Sequence, residues 1–519
     1  MKALSILVPL LVGSLLAAAS WRVAAGEPAS SPLVAVGSGT LEGRREKGLE
    51  TFRGIPFAAP PVGPLRWREP QPAIAWNGVR KADAYAASCM QKSGIPVSAG
   101  GTDGRLSEDC LYLNIWTPAS GDAGRRPVMV WIHGGALVYG SGNVALYDGG
   151  ALARRGAVVV TLNYRMGALG FFSHPSIDAD AARSPVNYGL LDQIAALRWV
   201  RTNIAAFGGD PGNVTVFGES AGAQSVLALY ASPLAQGLFH KGIAQSPYGI
   251  PSHTRAKARQ VSEQVATAVG LAGASATASQ LRAVSAARFF ELGDEGPTLA
   301  PGFIVGDPAL PRPILDVFQD GKQARAPLII GNNSDEATVA LAFGVDPAKV
   351  VEKLRGARFL LKKFYPGVTD DAQLGRESVR DLVFTSFARR IAYLHSQAAP
   401  TWRYYFSHVQ ENLRGKVPGV GHGGEIPFVM GTGDRCGCLG VPFTTSDNAF
   451  SRQVGDYWFA FARSGAPAAD NAPAWPKDSV RDARTLEFGE RTVARKDFMK
   501  ARLDAFIAIL KMAGALTSR

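Results

Sequence analysis

Ser220 stands in Gly218-Glu219-Ser220-Ala221-Gly222, behind Val214-Thr215-Val216-Phe217 and ahead of a small-residue stretch over 221–230. Four β-favouring residues, a Gly-x-Ser-x-Gly turn and a helix-compatible run predict a strand, a tight turn and a helix. In such a turn the serine is backbone-strained and its hydroxyl is pushed out at the sheet edge. The flanking glycines carry no Cβ to clash with the neighbouring strand and helix. A serine so displayed can attack a carbonyl if the chain also supplies a base, an acid and donors for an oxyanion.

Val128-Met129-Val130-Trp131-Ile132 reads as a buried parallel strand and runs into His133-Gly134-Gly135-Ala136. A loop of this kind aims backbone N–H groups at developing negative charge. Gly134 belongs to it, Gly135 and Ala136 are two expected donors, and Ala221, just after the serine, is a third. One such donor is typically worth about 10²–10³ in rate. For the acid, Ala326-Pro327-Leu328-Ile329-Ile330-Gly331 predicts a strand entering Asn332-Asn333-Ser334-Asp335-Glu336. Asp335 and Glu336 both sit at its exit, and spacing does not choose between them. Seven histidines compete for the base: His133, His174, His240, His253, His395, His408 and His422. Where the serine follows this kind of turn, the chain order is serine, acid, base, which places the base toward the carboxyl end. His422, in Gly421-His422-Gly423-Gly424-Glu425, lies on a flexible loop after the strand-like run 402–406, where catalytic side chains are expected. His408, the nearest rival, is part of a strand-like run.

The elements that must position these residues are strands alternating with helices. The run 157–162 is another buried strand and 189–203 is helical, which implies a mostly parallel sheet. The chain has 519 residues, 46% apolar and 19% charged, enough for a large core. Length alone would suggest about three domains. No low-complexity linker, charge block or repeat marks a boundary, so 26–519 is read as one domain. Met1-Lys2, the apolar run 3–19 and small residues at 17–19 and 23–25 read as a secretory signal over 1–25. With no further spanning segment, the mature protein is expected to be soluble and either secreted or periplasmic. Lys and Arg give a net charge of +12 but are scattered. A nucleic-acid groove would need a concentrated basic stripe, so nucleic acid is not an expected partner. Cys89 and Cys110 bracket a 20-residue polar loop, and export favours a disulfide there. Cys436 and Cys438 are either paired or left as thiols. No His spacing supports a zinc site.

These motifs stand among longer blocks. They are Phe52-Arg53-Gly54-Ile55-Pro56-Phe57-Ala58-Ala59-Pro60-Pro61-Val62-Gly63, Ser107-Glu108-Asp109-Cys110-Leu111-Tyr112-Leu113-Asn114-Ile115-Trp116, Asn163-Tyr164-Arg165, Phe207-Gly208-Gly209-Asp210-Pro211 and Ala474-Trp475-Pro476. In this order they resemble the type-B carboxylesterase family of α/β-hydrolases, over nearly the whole mature chain. The family includes para-nitrobenzyl-type esterases, animal carboxylesterases and cholinesterases. The resemblance implies an α/β fold with a large, mostly parallel, twisted central sheet flanked by helices, and pocket-building insertions near 247–320 and 340–400. It implies a serine esterase acting on a small-molecule ester through an acyl-enzyme, with no metal or organic cofactor. It selects Glu336 as the acid and His422 as the base. Ser246, in Gln245-Ser246-Pro247, matches a serine that supports the acid, and Glu219 is a second supporting residue. Cys89–Cys110 matches the first family disulfide, while Cys436 and Cys438 match nothing in the pattern.

Two departures carry information. The third glycine of the usual oxyanion loop is Ala136, followed by Leu137 in place of an aromatic, so the acyl side is reshaped. The loop between Cys89 and Cys110 has no Trp, Tyr or Phe. Quaternary ammonium recognition needs a π-face, so choline esters are disfavoured. Two other readings fit the same fold: a non-catalytic adhesion protein, against which the three candidate residues speak, and an amide or thioester hydrolase with the same residues.

Overall fold

The continuous apolar runs are strands buried on both faces of an 11-stranded sheet. In chain order these are β1 (Arg44–Glu46), β2 (Leu49–Pro56), β3 (Tyr112–Pro118), β4 (Arg126–Ile132), β5 (Val158–Leu162), β6 (Gly209–Glu219), β7 (Lys241–Gln245), β8 (Leu328–Asn333), β9 (Thr401–Phe406), β10 (Arg484–Phe488) and β11 (Thr492–Lys496). This computed structural model describes residues 31–517 apart from 98–99, 103, 120–124, 179–183, 251, 293–301, 343, 354–357, 435 and 437–439. The expected signal peptide over 1–25 and the pairing of Cys436 with Cys438 therefore fall outside the described residues.

Across the sheet the order is β11-β10-β9-β8-β7-β6-β4-β5-β3-β2-β1. Strands β4 to β10 pair parallel. Antiparallel pairs close both ends. The parallel centre is thus as expected, and the antiparallel ends are what the alternation of strands and helices could not reveal. Successive residues of β4 enter opposite cores: Val128, Val130 and Ile132 join one, Met129 and Trp131 the other. The first core is covered by helices Tyr188–Asn203, Ala221–Ala231 and Ser386–His395, the second by helix Thr445–Ser464. Double coverage explains why these strands read as unbroken apolar runs rather than as alternation.

From β4 the chain adds β5 on one side and returns to add β6 on the other. Such a switch leaves a crevice beyond the carboxyl ends of the two strands. Both the loop after β4 and the turn after β6 open into it. Asn163-Tyr164-Arg165 shapes its rim. Asn163 Oδ1 accepts from Gly142 N–H at 2.9 Å, and the Tyr164 hydroxyl donates to His133 O at 2.9 Å. Arg165 forms a buried two-point pair with Asp192, at 2.7 and 2.8 Å.

Cys89 and Cys110 are joined, and the loop they close is also held by the Arg66–Glu108 pair at 2.6 Å. Among the described residues no helix is long and apolar enough to cross a membrane. Replacing both cysteines by serine is expected to lower the free energy of unfolding by about 3 kcal/mol through lost loop-closure constraint. Urea denaturation measures this, and an unmoved midpoint would mean that the ion pair alone suffices to hold the loop.

Candidate active site

Ser220 links β6 to helix Ala221–Ala231 with φ 56° and ψ −121°. A positive φ is strained for a residue with a Cβ, and it persists because the surroundings leave no alternative. Those surroundings are the end of β4. A Cβ on Gly218 would lie 2.5 Å from Ile132 O, and one on Gly222 would lie 2.0 Å from the same oxygen. Both glycines are therefore required by close approach to the neighbouring strand. Gly134 is tight for the same reason, since its Cβ would meet Glu219 O at 2.8 Å and the Ser220 Cβ at 3.2 Å.

The three candidate residues come together. The Ser220 hydroxyl is 2.7 Å from His422 Nε2, and His422 Nδ1 is 2.5 Å from Glu336 Oε2. The other carboxylate oxygen of Glu336 accepts from the Ser246 hydroxyl and from Asn333 N–H, both at 2.6 Å. Glu336 is fully buried, and these three donors replace the water it lost. A neutral imidazole with its proton on Nδ1 leaves Nε2 to accept from the serine.

His422 was expected on a flexible loop; the loop is tied down instead. Asp335 and Gly421 form a bridge next to β8, and Asp335 N–H donates to Val420 O at 2.8 Å. His422 N–H donates to Thr338 Oγ1, and Asn333 Nδ2 donates to Gly421 O, both at 2.9 Å. The rival residues have other employment. Asp335 pairs with Arg376. His408 stacks on Phe450 and places Nδ1 3.1 Å from Gly489 O.

Two further carboxylates surround the imidazole. Glu219 Oε1 lies 3.2 Å from His422 Nε2. Glu425, whose role the sequence did not expose, is fully buried and accepts from Gln245 and Asn333 side chains. Burial raises the Glu219 carboxyl against the attraction of His422. Burial opposes charge on His422, but Glu219, Glu336 and Glu425 outweigh it and lift the imidazole above its ordinary 6.5. His133 contrasts with this. Fully buried and stacked on Tyr164 at 4.4 Å, it is pushed down to about 4 and stays neutral.

The loop after β4 turns through three positive φ values, at Gly135 (98°), Ala136 (52°) and Leu137 (63°). Leu137 O accepts from Gly167 N–H at 2.7 Å, which pins the turn. Gly135 and Ala136 line a cavity of about 400 Å³ together with Ser220 and His422. Its walls are largely apolar, with Leu146, Val339, Leu413, Ile426 and Phe443 among them, and Arg376 and Asp335 at one side. The segments 247–320 and 340–400 were expected to build the pocket. Among the described residues lining this cavity, none comes from the first and only Arg376 from the second. The wall is instead largely the chain around 409–428, because the loop that carries His422 is held against the end of β8.

A serine on a strand-turn-helix elbow at the switch point of a parallel-centred sheet, with a histidine and a carboxylate from later strand ends, defines an α/β-hydrolase. The family model of the carboxylesterase family matches residues 30–371 and 369–507. The chain is 36% identical to a fumonisin B1 esterase of Sphingopyxis macrogoltabida, over 88% of this chain and 86% of that one. It is 35% identical to an acylcarnitine hydrolase of Rattus norvegicus, over 90% and 92% respectively. A thermophilic PNB esterase superposes with a TM-score of 0.79 at 33% identity, covering 92% of this chain and all of the other. The chain belongs to the carboxylesterase family, and it is a carboxylic ester hydrolase.

The carboxylates around His422 make one expectation measurable. In an NMR titration its imidazole should change charge above pH 6.5, and Glu219→Gln should lower the midpoint by removing the leading attraction. A midpoint that Glu219→Gln leaves in place would mean that Glu219 is protonated throughout.

Proposed function

We propose that the protein is an exported serine esterase that transfers an acyl group to Ser220 and then to water. The observation that carries this reading is the His422 imidazole bridging Ser220 Oγ and Glu336 Oε2 at 2.7 and 2.5 Å. His422 takes the serine proton as Ser220 attacks the ester carbonyl. Glu336 keeps the proton on Nδ1 and stabilises the imidazolium that forms. Ser246 holds Glu336 in place, and Glu219 adds negative charge beside the cation.

The N–H groups of Gly135, Ala136 and Ala221 receive the oxyanion. Among the described hydrogen bonds none of these three donates within the protein, which supports the assignment, because such donors must be free for the transition state. Gly134 keeps the loop in contact with the serine turn. The alcohol leaves with the proton from His422, and water activated by the same imidazole releases the acid. Residues 26–519 form the catalytic unit, a reading supported by strands of one sheet running from residue 44 to 496. Residues 1–25 direct export to the periplasm or beyond.

The relatives are named for different esters, among them fumonisin B1, acylcarnitine and cocaine. What they share is the carboxylic ester bond, and that is the substrate class assigned to this chain. Ser220→Ala is expected to lower kcat on para-nitrophenyl butyrate by at least about 10⁴-fold while leaving the fold intact by circular dichroism. A serine-directed organophosphate should label wild type with one equivalent on Ser220. Wild-type rates in the variant would end the reading, and a protein that takes no label would be an adhesion relative instead. Acetylthiocholine should be a poorer substrate than para-nitrophenyl butyrate, judged by kcat/KM; the reverse order would remove the argument from the missing aromatic.

A further inference from the structure

The segment 340–400 supplies little of the cavity wall, but it reaches His422 by another route. Helix Asp371–Arg380 passes into helix Ser386–His395 without a break, through one widened turn over Asp381–Thr385. There Ser386 N–H donates to Asp381 O, five residues back instead of four. Such π turns are rare and are found frequently at functional sites. The run Asp381-Leu382-Val383-Phe384-Thr385 holds neither Gly nor Pro that would open the helix locally. The cause lies in what the turn is fastened to.

It is held at its start, middle and end. Asp381 is fully buried, accepts from Arg380 Nε at 2.8 Å and from the Tyr365 hydroxyl at 2.9 Å, and pairs with Arg502 of helix Lys500–Thr517 at 2.9 Å. A buried carboxylate met by these partners is costly to displace. Val383 O accepts from Gly249 N–H at 2.8 Å. Thr385 Oγ1 accepts from Asn332 Nδ2 at 3.1 Å, and Asn332 directly precedes the Asn333 whose N–H meets Glu336.

Phe384 is what the turn presents. Its side chain is buried, its ring centroid lies 5.3 Å from that of His422 at 56°, and the Tyr248 ring lies 6.3 Å away from it. Phe384 does not line the catalytic cavity. Its contact is therefore with the base, and that cavity's wall is left to other residues. Glu336 holds His422 at Nδ1, but Nε2 has two neighbours, Ser220 Oγ at 2.7 Å and Glu219 Oε1 at 3.2 Å. One hydrogen bond at Nδ1 leaves the imidazole able to pivot, and a rigid ring packed beside it limits the pivot.

Resting on the reading of His422 as the base, we infer that Phe384 is a positioning residue. The π turn over 381–385 holds its ring against the imidazole, so that Nε2 stays on Ser220 and does not turn to Glu219.

Phe384→Leu keeps an apolar side chain and loses the flat ring. On para-nitrophenyl butyrate it is expected to lower kcat roughly tenfold through misplacement of the base, with KM within about twofold of wild type. Thr385→Val removes the Asn332 tether without touching either ring and should lower kcat in the same direction by less. Glu219→Gln weakens the competing acceptor, so in the double variant with Phe384→Leu the two changes in kcat should combine to less than their product. Unchanged kcat in Phe384→Leu, a loss that falls on KM, or changes that multiply independently would overturn the assignment. Should Phe384→Leu fold poorly in urea denaturation, Thr385→Val decides, and an unchanged kcat there overturns it too. Failure of the underlying reading looks different: Ser220→Ala would then keep wild-type rates, whereas an inactive Ser220→Ala beside an unimpaired Phe384→Leu removes this inference alone.

Discussion

One buried carboxylate organises the site. Glu336 has no solvent, so its charge is tolerable only if every oxygen is met by a donor of fixed position. Ser246 comes from the end of β7, the Asn333 N–H from β8 and the His422 ring from the loop after β9. Three consecutive strand ends must therefore be in register before the carboxylate is satisfied. Once they are, the imidazole has one orientation, and that orientation delivers Nε2 to Ser220. The surrounding hydrogen bonds from Thr338 and Asn333 to the His422 loop act on the same constraint, by removing the freedom that its glycines would otherwise allow.

The second constraint is steric and lies across the sheet. Gly218 and Gly222 both sit against Ile132 O, so the turn carrying the serine and the strand leading into the 133–137 loop pack without side chains between them. That contact brings the Ser220 hydroxyl and the backbone N–H groups of the loop after β4, the nucleophile and donors of the proposed mechanism, from two different strands to one crevice. It also explains why the strained conformation at Ser220 is kept: relaxing it would break the packing of β6 on β4. Ala136 departs from the family pattern here, yet it holds a left-handed conformation like the glycine it stands for. The backbone path of the loop is thus preserved, while the residue that carries the added methyl lines the same cavity as Ser220.

Around this fixed chemistry the charges and walls differ in purpose. His133 is buried against Tyr164 and stays neutral, supporting the loop without titrating. His422, which faces the cavity, is kept basic by three carboxylates. The same residue type thus has opposite behaviour because one is desolvated alone and the other among anions. The cavity wall around 409–428 is apolar apart from a few side chains, as suits a site that sheds water from a carboxylic ester bond.

The sequence alone determined the local parts of this protein. Runs such as 128–132 and 158–162 had to be doubly buried strands because no charged residue and only Thr161 breaks their apolar character, and Gly-Glu-Ser-Ala-Gly after a strand had to be a tight turn. Those are statements about neighbours along the chain, and short-range sterics and burial decide them. The longer blocks added the family, and with it the choice of Glu336 over Asp335. Tertiary structure decided what depends on distant residues meeting. Asp335 is turned to Arg376 and Glu336 to His422, although the two carboxylates are adjacent in sequence. Glu425 joins the charge around the imidazole, the His422 loop is fastened rather than free, and the pocket wall comes from 409–428 instead of the longer insertions. None of these could be read from composition or period, because a loop carries no periodic signal of what it packs against; only the register of β7, β8 and β9 fixes that.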